Sequence, residues 1–277
     1  MDGLFAPPVA TTFEAVSAIV SALIYLGVGV AALARAPRDI RTRIFFATAL
    51  ASAAPYSLTM LLWVRGSGAA FPLPEMIVVG VSLMLGSLAL FHFTQVFPWR
   101  RPWIRAHWRW LLGGYIVTPV AAALSAGTIG AVFAAIDPPG SGGLGAVSSG
   151  ISEGLVLLIL LVVIPAVFVL GLVVPFAALL SLYNSWRAAK AAGIHPAQVT
   201  TLWILISQMA GGVLTILIIP LLHLVAPTGP WATIAGALLF AFGLLMPLAF
   251  AAGVWKYRVL DLDIDAAPAQ MTGRREM

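Results

Sequence analysis

The sequence predicts an all-α integral membrane protein, a bundle of seven transmembrane helices with its N-terminus outside the cell and its C-terminus in the cytoplasm. Of the 277 residues, 61% are hydrophobic and only 9% are charged, whereas about a quarter of the residues in soluble proteins are charged. Fourteen of the fifteen Lys and Arg residues follow the first, third, fifth or seventh long apolar stretch. Basic residues accumulate on the cytoplasmic side of membrane helices, so this alternation indicates both the number and the direction of the spans.

Each predicted span is an apolar stretch of at least about 20 residues, the length needed to cross the hydrocarbon core. The spans are predicted at about residues 12–34, 44–64, 76–97, 110–136, 154–186, 202–225 and 231–255. Glycine and proline are dense at 66–74, 137–143 and 227–230. Because such residues end helices and form turns, these three stretches are predicted to be outer loops. Arg65, after the second span, is the exception to the alternation of charge.

The fifth apolar stretch is longer than a bilayer requires, so its helix is predicted to tilt, bend or project beyond the membrane. Pro165 and Pro175 are the predicted bends, because each proline removes one helix hydrogen bond. No stretch between the spans is long enough for a soluble domain. Residues 1–260 are therefore predicted to form one membrane domain, and residues 261–277 a short cytoplasmic tail.

The composition also excludes several classes of function. The net charge of +5 comes from bases at helix ends, where they face the anionic lipids of the inner leaflet rather than a nucleic acid. The absence of cysteine excludes disulfides and thiol chemistry. No acid or base lies in the middle of a predicted span, which disfavours a proton pump, an ion-coupled transporter or a channel. The predicted location is the cytoplasmic (inner) membrane, which the chain crosses several times.

The histidines indicate neither a metal nor a haem site. His92 lies near the inner end of the third span and His223 near the outer end of the sixth, so most of a membrane of about 30 Å separates them. His92 is predicted to be a hydrogen-bonding residue. Glu14 and His223 are candidate ligand contacts at the outer face, although a solvated carboxylate is the simpler interpretation of Glu14. No catalytic grouping occurs, and no enzyme activity or cofactor is predicted.

The segment between the third and fourth spans combines aromatic and basic residues. If it is helical from Trp99 onward, Trp99, Trp103 and Trp110 lie within about 40° of one another at about 100° per residue. The arginines then point away from this stripe, as expected for a helix at the membrane surface. The predicted lipid anchors are Trp99, Arg100, Arg101, Trp103, Arg105 and Trp110. A docking surface for a partner is the alternative.

The exit segment, residues 255–265 after the seventh span, changes abruptly from basic to acidic. It reads Trp-Lys-Tyr-Arg-Val-Leu-Asp-Leu-Asp-Ile-Asp. Aspartate at alternate positions disfavours a continuing helix because its side chain competes for nearby backbone groups. The exit segment is therefore predicted to be a short turn or extended segment, with a solvated tail as the plainer alternative.

Two stretches resemble the N-terminal seven-helix membrane region of a family of bacterial sensor histidine kinases. The third span closes with Phe-His-Phe-Thr-Gln-Val-Phe-Pro at 91–98, and the seventh with Tyr-Arg-Val-Leu-Asp-Leu-Asp at 257–263. The resemblance covers nearly the whole chain and implies a membrane module that senses, anchors or oligomerises. The twelve residues after Asp265 contain no phosphoacceptor or ATP-binding domain, so phosphotransfer is not expected of this chain.

Two functions from different classes follow. The first is a non-catalytic sensor or receptor-like module that signals to, or anchors, a separate partner protein. Its candidate relay and partner-contact residues are His92, Gln95, Tyr257, Arg258, Asp261 and Asp263. The alternative is a structural or accessory subunit of a larger respiratory or photosynthetic membrane complex, because the spans carry little polar chemistry.

Overall fold

A computed structural model describes residues 12–65, 73–136, 165, 168–213 and 230–262. These residues form α-helices and no β-strand, which confirms the predicted all-α class for this part of the chain. The helices are α1 Thr12–Arg35, α2 Ile40–Arg65, α3 Leu73–Val96, α4 Pro102–Ile136, α5 Val174–Ala192, α6 His195–Val213 and α7 Pro230–Trp255. A π-helical segment, Val169–Val173, leads into α5, and a 3-10 helix, Val259–Asp261, follows α7.

Two helical stretches of the described residues are long and apolar enough to cross a membrane. They are Ala15–Arg35, within α1, and Val169–Ala192, which joins the π-helical segment to α5. Gly80–Val96 in α3 and Phe240–Trp255 in α7 are shorter apolar stretches. Parts of the predicted fifth and sixth spans, 154–164 and 214–225, lie outside the described residues.

Six of the described helices form a closed ring. Around it, α1 packs against α2, α2 against α3, α3 against α5, α5 against α6, α6 against α7, and α7 returns to α1. The remaining helix, α4, lies outside this ring and packs mainly against α3. Helix α4 therefore has a broad outer face, and Ile116 and Val117 are exposed on it.

Four phenylalanines fill the core of the ring, three of them from helices α2, α3 and α7 and the fourth, Phe97, from the connection just after α3. Phe45 of α2 stacks on Phe250 of α7 with ring centroids 3.8 Å apart, and Phe93 of α3 stacks on Phe97 at 4.9 Å. Phe93 also meets Phe250 edge-on at 5.5 Å. Aromatic pairs in such offset or edge-on arrangements add about 0.5–1.5 kcal/mol beyond the area they bury. This cluster holds α2, α3 and α7 together.

Small residues allow two pairs of helices to approach closely. A Cβ at Gly253 of α7 would lie 2.7 Å from Cγ2 of Thr200 in α6. A Cβ at Gly29 of α1 would lie 3.1 Å from that of Ala49 in α2. Close approach through small residues is how helices pack in membranes, where lipid provides no hydrophobic force between them.

Several helices begin earlier than the predicted spans. Helix α4 begins at Pro102 and is kinked at His107, and α6 begins at His195, whereas the predicted spans begin near 110 and 202. An apolar stretch marks only the part of a helix that can lie in the membrane. Backbone hydrogen bonding extends these helices into the polar residues that precede it. Between α5 and α6 the turn is tight, because Gly193 adopts φ 70° and ends α5, a conformation that glycine accepts most readily.

Candidate functional site

Four connections meet at one end of the ring, here named the basic end. They are the α1–α2 turn, the α3–α4 connection, the α5–α6 turn and the exit segment after α7. Most of the described basic residues lie here, and two of them are drawn inward by hydrogen bonds. The basic end is therefore where the described part of the chain concentrates its polar interactions between helices.

The α1–α2 turn positions the first of these inward residues. The Asp39 carboxylate accepts a hydrogen bond from the backbone N–H of Arg41 at 2.8 Å, which is the usual role of aspartate before the first residue of a helix. The Thr42 hydroxyl donates to the carbonyl of Ala36 at 2.6 Å and so closes the turn. These bonds place Arg41 in the first turn of α2.

The Arg41 guanidinium is buried, with the residue only 2% exposed. Its Nη2 donates to the Asp39 carboxylate at 2.7 Å, and its Nε donates to both carboxylate oxygens at 3.1 Å. A planar guanidinium suits this paired geometry, in which both charges are compensated.

The same guanidinium also binds backbone carbonyls from two distant parts of the chain. Nη1 donates to the carbonyls of Pro98 and Val259, each at 3.0 Å. Nη2 donates to the carbonyl of Leu260 at 2.7 Å, and the carbonyl of Leu262 lies 3.3 Å from Nη1. Arg41, Asp39 and these four carbonyls are named the Arg41 cluster. One side chain thus joins α2, the α3–α4 connection and the exit segment.

The exit segment has the shape that this contact requires. Arg258 adopts the left-handed conformation, φ 52° and ψ 39°, which reverses the chain after α7. The 3-10 helix Val259–Asp261 follows, with Leu262 in extended conformation. Val259 is fully buried in the core, so it anchors the turn while the neighbouring carbonyls face Arg41. The prediction of a turn here is confirmed as far as Leu262.

A second polar cluster joins α3 to α5. The Gln95 side-chain amide donates to the Ser181 hydroxyl at 3.0 Å, and that hydroxyl donates to the carbonyl of Thr94 at 3.1 Å. Arg101, from the α3–α4 connection, donates through Nη2 to the carbonyl of Ser181 at 2.7 Å and to the Ser185 hydroxyl at 3.0 Å. Burial lowers the pKa of Arg101 from its usual value.

The other predicted relay residues lie in separate surroundings. His92 shares a 3.2 Å hydrogen bond with the Tyr115 hydroxyl of α4, which agrees with its predicted role as a hydrogen-bonding residue. Tyr257 packs partly against the core, and its ring lies 5.4 Å from Nζ of Lys256. Arg258 and Asp261 are exposed at the surface. No described hydrogen bond joins His92 or Gln95 directly to the exit segment.

Three predicted site residues have side chains outside the described part of the structure. Asp263 and His223 lie outside the described residues. Glu14 lies in the first turn of α1, but its side chain is also outside the described part of the structure.

The predicted stripe of tryptophans is divided between the interior and the surface. Trp99 is only 6% exposed and packs against Ala189 and Ala197 of the α5–α6 hairpin. Trp103 and Trp110 are exposed, the latter by 78%. The condition for a single stripe, a continuous helix from Trp99 onward, is not met, because α4 begins only at Pro102.

The arginines of this segment divide in a similar way. Arg101 is turned inward by its hydrogen bonds to α5 and does not lie free at the surface as a lipid anchor would. Arg100 is half-buried, and the side chain of Arg105 is outside the described residues. Arg101 and Trp99 are thus held against α5 and the α5–α6 hairpin by their own contacts.

The burial of Arg41 and its contacts with distant carbonyls were not predicted from the sequence. Its charge was assigned to the basic group after the first span, together with Arg35, Arg38 and Arg43. The available signal was Asp39, an acid two residues before Arg41 in an otherwise basic turn. An arginine next to an acid at a helix start is a candidate for burial, because the pair can leave water together.

The described residues contain no group of three or more His, Asp or Glu side chains that could hold a metal ion. Buried arginines that bind carbonyls and hydroxyls can join structural elements, and this is the chemistry that the basic end offers. Comparisons with protein-family models, curated proteins and solved structures found no match to this chain.

Proposed function

We propose that the protein is a non-catalytic sensor-like membrane module that transmits a change in helix packing to a partner protein through the exit segment. In this proposal the chain crosses the bacterial inner membrane seven times, with the N-terminus outside and the basic end in the cytoplasm. The observation that carries the proposal is the Arg41 cluster. It connects the two stretches that resemble the sensor kinase membrane region, at Pro98 and at Val259–Leu262.

The Arg41 cluster is suited to two arrangements rather than to a gradual change. A buried guanidinium is stable only while its charge and its donors are compensated. If α2 moves relative to α7, Arg41 loses its three carbonyl partners in the exit segment together. Asp39 caps the start of the same helix and stays beside Arg41, so the charge stays paired while the other donors are left without partners. A ligand or a membrane state that favours one helix packing would then hold or release the exit segment, and this is a shift between two populations.

The surface of the exit segment supports a role in partner binding. Arg258 and Asp261 are exposed on the turn that Arg41 holds from behind. In this proposal Asp261 and Asp263 contact the partner, while Gln95 and His92 tie α3 to its neighbours and so transmit motion of that helix. The basic residues at the same end face anionic lipid headgroups.

The predicted topology can be tested directly, because the chain contains no cysteine. We expect a single cysteine at Ser141, in the predicted long outer loop, to react with a membrane-impermeant maleimide in intact cells. A cysteine at Arg38, in the α1–α2 turn, should react only after the membrane is permeabilised. Labelling of both positions in intact cells would contradict the proposed orientation.

Partner binding is tested by purification from native membranes in mild detergent, followed by mass spectrometry of stoichiometric companions. A soluble kinase or regulator is the expected companion, and the double variant Asp261→Ala/Asp263→Ala should reduce its recovery without reducing the yield of the protein. Asp137→Ala, in the predicted outer loop, is the matched control. Recovery within a large respiratory or photosynthetic complex would instead support the accessory-subunit alternative.

A further inference from the structure

An open groove of about 560 Å³ runs along α4 near the basic end. It is lined by Arg109, Trp110, Gly113, Gly114 and Val117. Arg109, Gly113 and Val117 are spaced four residues apart and so lie one above the other on the helix. At about 1.5 Å per residue, the line from Arg109 to Val117 is about 12 Å long. The groove therefore follows the helix axis, with a cation at the end nearer the basic end.

The two glycines form the floor of the groove for different reasons. A Cβ at Gly114 would lie 3.2 Å from Leu88 of α3, so Gly114 allows α4 to pack closely against α3. A Cβ at Gly113 would meet nothing within 4 Å, so this position opens outward. Because α4 lies outside the helical ring, the open side of the groove faces away from the bundle.

The chemistry of the groove changes along its length. The Arg109 guanidinium lies 5.8 Å from the ring centroid of Trp108 and forms no ion pair with a described carboxylate. Trp110 beside it is 78% exposed, and Val117, two turns deeper, is 63% exposed. Arginine and tryptophan are favoured at headgroup depth and apolar side chains in the hydrocarbon, so this order matches that of a phospholipid.

We propose that the groove binds one anionic phospholipid, with its phosphate at Arg109 and an acyl chain along Gly113 and Val117. The inference rests on the membrane location proposed above. Charge complementarity favours an anionic headgroup, because Arg109 is the charged residue among the five that line the groove. The apolar part of the lining indicates that the remainder is a hydrocarbon chain, which fills the open space beside Gly113. A soluble anion would leave the deeper half of the groove without a ligand.

The test uses the purified full-length protein in mild detergent with equal amounts of phosphatidylglycerol and phosphatidylcholine. Native mass spectrometry counts the retained lipids for the wild type and two variants. Arg109→Gln removes the cation, and Gly113→Phe fills the groove at a position where added atoms meet nothing. Arg38→Gln, at another exposed arginine of the basic end, and Gly27→Phe, at a similarly open glycine of α1, are the matched controls.

We expect the wild type to retain one phosphatidylglycerol in preference to phosphatidylcholine. Arg109→Gln should lower that preference about fivefold, the usual effect of one basic residue near an anionic surface. Gly113→Phe should abolish retention of this lipid, and both controls should behave as the wild type. Equal loss in Arg38→Gln would overturn the proposal, since surface charge alone would then explain binding. A change of oligomeric mass in Gly113→Phe would also overturn it, by making a second copy the occupant.

Membrane location is measured separately by flotation of the protein with vesicles of phosphatidylcholine alone. Failure to float would count against the proposed function and, with it, the lipid site. Flotation of all variants, combined with equal lipid retention in wild type and Gly113→Phe, would overturn the lipid site while leaving the membrane module intact.

Discussion

Replacement of Arg41 by methionine tests the central contact of the basic end. Methionine keeps much of the length of the side chain but removes every donor. The Asp39 carboxylate, only 18% exposed, would lose its cation, and the carbonyls of Pro98, Val259 and Leu260 would lose a donor. Removing one partner of a buried ion pair costs about 3–5 kcal/mol. We expect the free energy of unfolding to fall by about this amount.

The effect should be local as well as global. The exit segment is held by Arg41 from one side, so its backbone amides should exchange with solvent faster in Arg41→Met than in the wild type. Hydrogen exchange followed by mass spectrometry of peptides covering 256–262 measures this change. Reversible unfolding in mixed micelles, followed by tryptophan fluorescence, gives the free energy of unfolding.

Arg43→Met provides the matched control, since Arg43 is exposed and donates one hydrogen bond, from Nε to the carbonyl of Pro37 at 2.7 Å. It should change the free energy of unfolding by less than about 1 kcal/mol. If Arg41→Met matched Arg43→Met in both stability and exchange, Arg41 would contribute no more than a surface arginine, contrary to this expectation. A second check is Asp39→Ala combined with Arg41→Met, which should cost less than the sum of the single changes because neither charge is then left alone.

Three further substitutions test the packing around the site. Gly253→Ala should lower the free energy of unfolding by about 1–3 kcal/mol, because its Cβ would overlap Thr200, and Thr200→Ala in the same chain should restore most of the loss in a micelle titration. Gly193→Ala should cost about 1 kcal/mol because residue 193 has a positive φ, whereas the control Gly27→Ala, at an open position within α1, should cost nothing. Gln95→Leu should cost about 1 kcal/mol by removing the hydrogen bond to Ser181, and the loss should vanish when Ser181→Ala is already present.

The helical class and the position of most helices were predictable from the sequence because they depend on composition and on long apolar stretches. The end of α7 before the acidic stretch agrees with the low helix preference of its aspartates, although the left-handed residue that breaks the helix is Arg258. These features are local in the chain, or follow from the average chemistry of a stretch.

The Arg41 cluster was not predictable, because its partners come from parts of the chain 57 and 218 residues away. Backbone carbonyls, which carry no sequence signal, supply most of its contacts. The burial of Trp99 has a similar origin, since it depends on Ala189 and Ala197 in the α5–α6 hairpin. The close packing at Gly29 and Gly253 was not predictable either. The sequence does not distinguish a glycine packed against a neighbouring helix from Gly113, where an added Cβ would meet nothing within 4 Å.

The choice of backbone carbonyls as partners has a consequence for the proposed output. Arg41 recognises the shape of the exit segment through the carbonyls of Val259, Leu260 and Leu262, and it makes no described bond to their side chains. In the proposed function, the exposed side chains of Arg258 and Asp261 are therefore the ones that determine which partner binds. Release of Arg41 would change the backbone on which both side chains are carried and so alter their spacing together. Under this proposal, one buried contact controls a surface whose exposed side chains it does not touch.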